Sequence, residues 1–196
     1  NDVRRARIDR MGALLVRKRT AEVIDEYESL SASGEVPNYA KRWVASAWLS
    51  ERQPEKTEAM LASIYYPNGP IPVTPLSPED QQDLFYAHID NENFDAAKKQ
   101  VDDLIKESPY LRRIYGSPTP QPNDNWLLGQ SLLTQYHIAA NELPEAEKLA
   151  EHLARTGSGN QGLRISYASV LEARGLPHAA EKELKLAEVI EPSNLE

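Results

Sequence analysis

The sequence predicts an all-α protein, a right-handed α-solenoid of about five helix–turn–helix repeats, and three observations predict it. Two segments 34 residues apart write nearly the same helix: "ANELPEAEKLAEHLART" at 140–156 and "RGLPHAAEKELKLAEVIEP" at 174–192 both carry Leu-Pro, then alanines and leucines at helical spacing among Glu and Lys. Strong helix formers dominate, aromatic residues make up 7% of the chain, and no Val/Ile/Thr-rich alternation of the kind strands need is present. The composition, 40% hydrophobic and 27% charged, allows a core. One hairpin cannot bury its apolar face alone, so such units stack.

The units follow in order along the 196 residues. Residues 4–37 offer Met11 and Leu14 on a first helix, then Val23, Tyr27 and Leu30 on a second. Residues 38–71 place Val44, Ala45 and Trp48 on the first helix and Thr57, Leu61 and Ile64 on the second. The unit 78–111 has Ala97, Val101 and Leu104 on its second helix and closes at Pro109. In 127–160 the turn falls at Asn141, and Ala146, Ala150 and Leu153 form the stripe. In 161–194 the turn falls at Gly175, the stripe is Ala180, Leu184 and Ala187, and Pro192 closes the unit. Two segments interrupt the array: "YPNGPIPVTPLSP" at 66–78, with five prolines, and "YLRRIYGSPTPQPNDN" at 110–125, with three. Proline removes a backbone donor and drives its predecessor towards extended conformations, so both read as loops. The second adds about 15 residues between repeats, a length that in a compact array goes with function or mobility.

Charge and motifs exclude several classes. A net charge of −8 argues against a nucleic-acid partner, which would require a basic footprint. No cysteine is present, which removes disulfides and thiolate metal sites and fits the cytosol and the periplasm equally. Apolar runs such as "MGALLV" at 11–16 are too short to span a bilayer. The chain opens "NDVRRAR" rather than with Met and shows no signal peptide, so it reads as a fragment whose localisation signal lies elsewhere. "GSGNQG" at 157–162 matches G-x-G-x-x-G, but the dinucleotide reading needs a preceding strand, and here a helix precedes it. "NENFDA" at 91–96 has a calcium loop's spacing but Ala96 where glycine is needed and Asp102 where glutamate is needed. His88, His137, His152 and His178 are dispersed, with no H-E-x-x-H pair and no serine elbow. No metal, cofactor or enzymatic role is expected.

The repeat resembles the tetratricopeptide repeat (TPR) family, W-x2-L-G-x2-Y followed by A-x3-F-x2-A and P. The second half of that motif is well kept; in the first, the usual glycine at position eight is Ala45, Phe85, Thr134 and Ala168 in the last four units. The resemblance implies one TPR-like solenoid over 1–196. It also implies that positions 2, 5, 9, 12 and 13 of each first helix face a concave groove. That rule selects Glu79, Gln82, Tyr86 and Asp90, then Ser131 and Gln135, then Ser169 and Glu172, as ligand-binding candidates. Residues 78–109 carry nine acids against three bases, a balance suited to a cationic ligand, while residues 1–19 carry seven bases against two acids.

From "NDNWLLGQSLLTQYHIAANELPEAEKLAEHLARTGSGNQGLRISYASVLEARGLPHAAEKELKLAEVIEPSNLE" the sequence more narrowly resembles the periplasmic TPR regions of outer-membrane porins that export poly-β-1,6-N-acetyl-D-glucosamine, a biofilm polysaccharide. The resemblance implies a periplasmic location and a C-terminal β-barrel outside this chain. It implies two partners, the partly deacetylated polymer and the periplasmic N-deacetylase lipoprotein that exposes its amines. Tyr110, Arg112, Arg113 and Tyr115 of the long loop are candidate anchors for the protein partner, aromatic and arginine side chains being common in that role. The competing reading is a generic TPR scaffold that binds a protein or peptide and no carbohydrate.

Overall fold

The computed structural model describes residues 2–69, 73–107, 111–112, 121–122, 124–157 and 160–190. These form ten α-helices: α1 (Asp2–Val16), α2 (Thr20–Ala32), α3 (Asn38–Ser50), α4 (Pro54–Tyr65), α5 (Pro78–Asp90), α6 (Phe94–Glu107), α7 (Asp124–Ala139), α8 (Leu143–Thr156), α9 (Gln161–Ala173) and α10 (Pro177–Ile190). The strand content among the described residues is one two-residue ladder, β1 (Leu111–Arg112) antiparallel to β2 (Gln121–Pro122), inside the long loop. The chain is all-α with the TPR-like architecture that its repeats predict.

Each first helix of a pair ends in the same way. Lys18, Arg52, Glu92, Asn141 and Gly175 all have positive φ, between 57° and 72°. The N–H of the next residue reaches back to the last turn of its helix in every case: Arg19 to Leu14, Gln53 to Trp48, Asn93 to His88, Glu142 to His137 and Leu176 to Leu171, at 2.8–3.0 Å. A second bond, from the left-handed residue itself to the carbonyl three before it, completes a Schellman cap. Four of the five left-handed residues are not glycine, so the cap is imposed by packing on both sides rather than by local preference. The spacing of these residues is 34 from Lys18 to Arg52 and from Asn141 to Gly175, and longer across the two proline-rich segments.

Packing explains why the motif can degenerate without loss of the fold. Position eight holds Met11, Ala45, Phe85, Thr134 and Ala168, five different shapes, and each is at most 1% exposed. Position twenty, on the second helices, holds Val23, Thr57, Ala97, Ala146 and Ala180, likewise at most 1% exposed. What the repeat keeps there is burial, not residue type. Where Thr57 brings a hydroxyl inside, it donates to the Ala45 carbonyl at 2.8 Å, so that buried polar atom is not orphaned.

The chain divides into two compact units, residues 1–93 and 94–196. In the first, α1, α2 and α3 share a core of Met11, Leu14, Val23, Leu30, Val44 and Trp48, and a second cluster runs from Ala45 through Leu61 and Ile64 to Leu84. In the second, Ala146, Ala150 and Val170 pack with Ile138 and Tyr167, and Ala168, Leu171 and Ala180 pack with Leu184. "GSGNQG" lies between α8 and α9. There the Asn160 side chain caps α9 by accepting from the Leu163 N–H at 3.2 Å, and Gly157 meets the Leu163 side chain so closely that a β-carbon would sit 2.5 Å from it. "NENFDA" is the Schellman turn after α5, with Asn91 donating to Glu58 at 2.9 Å.

Candidate ligand-binding face

The groove candidates divide between the two units. Glu79, Gln82, Tyr86 and Asp90 lie on α5 at spacings of three and four, so they share one face of that helix, and all four are exposed. Helix α5 starts sharply because Ser77 caps it, accepting from the Asp80 N–H at 3.2 Å, with Pro78 in the first turn. It packs against α3 and α4.

Beneath that face sits a polar lock that the repeat pattern does not single out. Asp80 on α5 is 4% exposed, and one carboxylate oxygen accepts from Arg42 of α3 at 3.0 Å, from the Tyr65 hydroxyl of α4, and from Ser77 at 2.7 Å. One buried anion thus ties three helices together. Burial lifts the Tyr65 phenol above its ordinary pKa, and its bond to Asp80 adds to the shift. The Arg42 guanidinium is raised above its ordinary value by its hydrogen bond to Tyr65 and the nearby Asp80 charge, against an opposing desolvation.

One turn along α5, Asp83 is half-buried, and burial pushes its carboxyl up to about 6. Ser46 of α3 opposes the shift, while the charges of Asp80 and Glu79 add to it. Tyr86, one turn further, stands edge-on to Phe85 with ring centroids 5.3 Å apart, and burial raises its pKa too. On α3, Tyr39 is 45% exposed and stands edge-on to Trp43 at 5.3 Å. The Trp43 ring lies against Gly12 of α1, where a β-carbon would come within 3.1 Å of it. Asp80 and Asp83 are marked by their burial and their surroundings rather than by spacing, which hides them in the sequence. The same inward positions, taken in the second repeat, reach Tyr39, Arg42 and Ser46.

On the second unit, Ser131 and Gln135 of α7 and Ser169 of α9 are half-buried, and Glu172 is exposed. The Ser169 hydroxyl is spent on the Ile165 carbonyl of its own helix at 3.1 Å. This face carries amides and hydroxyls where α3 and α5 carry charges and rings. Two histidines sit where the repeat motif has tyrosine. His88 is buried against Glu58, with a pKa lowered by that burial, and His137 lies 2.7 Å from Glu142. Among the described residues no group of three or more His, Cys, Asp or Glu is placed to hold a metal ion.

The partner-binding candidates Tyr110, Arg113 and Tyr115 lie outside the described residues, as does the Arg112 side chain, although its backbone forms β1. Several bases of the first hairpin are committed internally: Arg4 donates to the Leu30 and Glu35 carbonyls at the end of α2, and Arg7 and Arg10 both meet Glu26. No described helix is long and apolar enough to cross a membrane.

No protein-family profile matches the chain. Its fold matches the solved structure of MamA MSR-1 C2, a TPR-containing protein, with a TM-score of 0.52 over 98% of both chains at 12% identity, a likeness of fold alone. In sequence it is 46% identical over 192 residues, 97% of its length, to the poly-beta-1,6-N-acetyl-D-glucosamine export protein of Escherichia coli K12, and equally to that of Escherichia coli O157:H7. The chain spans about a quarter (24%) of the length of those relatives. Identity of this extent along nearly the whole chain makes it a homologue of the matched quarter of those two proteins.

Proposed function

We propose that the chain is a non-catalytic repeat region of a biofilm exopolysaccharide export protein, working at the periplasmic face of the bacterial outer membrane. It forms one TPR solenoid that binds partly deacetylated poly-β-1,6-N-acetyl-D-glucosamine and guides it to the pore of a β-barrel outside these residues. The periplasmic N-deacetylase lipoprotein docks on it, with the 110–125 loop contributing Tyr110, Arg112, Arg113 and Tyr115. The observation that carries this reading is the 46% identity to an export protein of that polymer along nearly the whole chain.

Physical chemistry supports the choice of ligand. Deacetylation uncovers amines that are cations near neutral pH, and α5 presents Glu79, Asp83 and Asp90 beside an exposed tyrosine. Exposed ion pairs contribute only about 0–1 kcal/mol each, so affinity is weak, spread over several contacts and reduced by salt. The test is calorimetric titration of partly deacetylated and fully acetylated β-1,6 oligomers at two salt concentrations. Tighter binding of the deacetylated oligomer, with an advantage that shrinks at high salt, is expected. Binding of neither oligomer, with retained binding of the deacetylase, would replace this reading with a protein-only scaffold. Deleting residues 112–122 should weaken deacetylase binding; unchanged affinity removes the loop from the docking surface.

A further inference from the structure

Four side chains on α3 and α5 form a set that the matching positions on α7 and α9 do not repeat. Ser46 of α3 stands close enough to Asp83 of α5 to act on its carboxyl. Tyr86 follows Asp83 by one turn on α5. Tyr39 precedes Ser46 by seven residues on α3, roughly 10 Å along the helix axis. Both tyrosines are more than a third exposed, Tyr39 at 45% and Tyr86 at 37%. Neither ring is loose: Trp43 and Phe85 hold them edge-on at interplanar angles of 74° and 72°, and Trp43 is itself seated on the bare backbone of Gly12.

We propose that Ser46, Asp83, Tyr86 and Tyr39 form one amino-sugar subsite, in which Asp83 takes the ammonium group and the tyrosine rings support sugar faces to either side. The proposal rests on the polymer-binding reading and adds to it the place where a free amine is told from an acetamide. Electrostatics favour a cation here. The charges acting on the Asp83 carboxyl are those of Asp80 and Glu79, both acidic, while Arg42 of α3 is drawn to Asp80 and Tyr65. A cation supplied from outside would complete this site, and an acetamide, having no charge, would not.

Geometry favours a sugar ring. A pyranose offers apolar C–H faces to a ring and hydroxyls at its rim, so it needs fixed aromatic faces next to polar groups, and the edge-on contacts fix those faces in advance. The Ser46 hydroxyl offers both a donor and an acceptor to a sugar hydroxyl. The faces of α7 and α9 have no exposed ring beside a carboxylate at the corresponding places: Gln135 and Ser169 stand where Tyr86 stands, and Leu132 and Ser166 where Asp83 does.

The test uses the whole 196-residue chain with β-1,6-linked glucosamine oligomers and fully acetylated β-1,6-linked oligomers, each titrated by calorimetry. In Asp83→Asn, affinity for the glucosamine oligomer should fall by roughly three- to fivefold, the reach of one partly exposed ion pair, with binding of the acetylated oligomer unchanged. Asp83→Glu should restore most of the preference, and Tyr86→Leu should weaken both oligomers alike. Circular dichroism and thermal melting check that each variant folds. Should Asp83→Asn fail to fold, full binding of both oligomers by Tyr86→Leu overturns the subsite on its own. An unchanged preference in folded Asp83→Asn also overturns it and leaves the polymer-binding reading standing. A wild-type chain that binds neither oligomer overturns both.

Discussion

The same repeat junction is built in two chemistries in the two halves of the chain. Between the second and third repeats, Arg42, Tyr65 and Ser77 converge on buried Asp80. At the positions matching Arg42, Tyr65 and Asp80 between the fourth and fifth repeats stand Ser131, Ala154 and Leu163, with Ala154 2% and Leu163 3% exposed. The position of Asp80 is apolar elsewhere too: Ala40 is fully buried and Gly129 is buried against Ile105. An array of this kind needs only that the place be filled. A charged lock there is therefore not required by the fold, and it lies under a face that carries exposed rings and a half-buried carboxylate together. A buried ion network gives little net stability over a well-packed apolar one, but it fixes where α3, α4 and α5 stand relative to one another. That positioning is what a binding face above it needs.

The comparison can be broken most forcefully at position eight, where the first unit holds Phe85 and the second holds Thr134, both fully buried. Phe85→Ala should destabilise by about 3–5 kcal/mol through the cavity it leaves. Thr134→Ala, which removes one methyl and a hydroxyl bonded to the Gln130 carbonyl of its own helix, should cost only about 1 kcal/mol. Chemical denaturation of each variant checks the contrast; equal losses would mean that this position is packed alike in both units. Asp80→Ala comes next. It strands Arg42 and Tyr65, and with Arg42 partly solvated the expected loss is about 2–3 kcal/mol. Replacing the whole lock by apolar side chains of similar size, Arg42→Met with Tyr65→Phe and Asp80→Leu, should recover most of that stability. If the triple variant were less stable than Asp80→Ala, the two junctions would not be interchangeable solutions.

A smaller effect tests the alanine stripe. Ala146 is fully buried against Val170 and Ile138, and Ala180, 1% exposed, lies against Ala168 and Leu171. Leucine at either place should lower stability by about 1–3 kcal/mol through overpacking, whereas the same change at exposed Ala173 should be close to neutral. A melt unchanged by Ala146→Leu would show space that the structure does not have.

These sites also show what the sequence made legible. Ala146, Ala150, Ala180 and Ala187 were readable because small residues at helical spacing, repeated 34 apart, are what closely stacked helical hairpins require. Asn141 and Gly175 were readable as turns, being residue types that tolerate positive φ; Lys18, Arg52 and Glu92 adopt it against their preference, and only alignment to the repeat points to them. The candidate face was legible as a set of inward positions, since periodicity says which residues share a face. It could not reveal that Asp80 is neutralised and Asp83 is not, because that difference is made by Arg42 and Tyr65, 38 and 15 residues away. Nor could it show that the Ser169 hydroxyl is spent within its own helix, α9.

The smallest expected effect is also the one with the clearest sign. Burial holds the Asp83 carboxyl at about 6, above its ordinary 3.8, so between those values the folded chain binds its proton more tightly than the unfolded chain does. Stability contributed by this group is then present at low pH and lost as the pH rises through about 6. Glu181 on α10 behaves oppositely: Lys185, one turn away, holds its carboxyl below the usual range, and its contribution is lost as pH falls. Asp83→Asn removes the titration while keeping the shape. The variant should therefore match the wild type in melting temperature below about pH 4 and exceed it modestly at pH 7.5, with the difference opening as the pH rises from about 4 and complete just above about 6. Burial sets most of the gap, and the groups that adjust it are Ser46 on α3 and Asp80 and Glu79 on α5. Adding glucosamine oligomer should close the gap, because a bound ammonium stabilises the ionised wild-type carboxylate and offers nothing comparable to the amide. A gap that opened instead on the acid side would mean that Asp83 is held ionised in the free protein, and a half-buried, cation-seeking carboxyl would be the wrong account of this face.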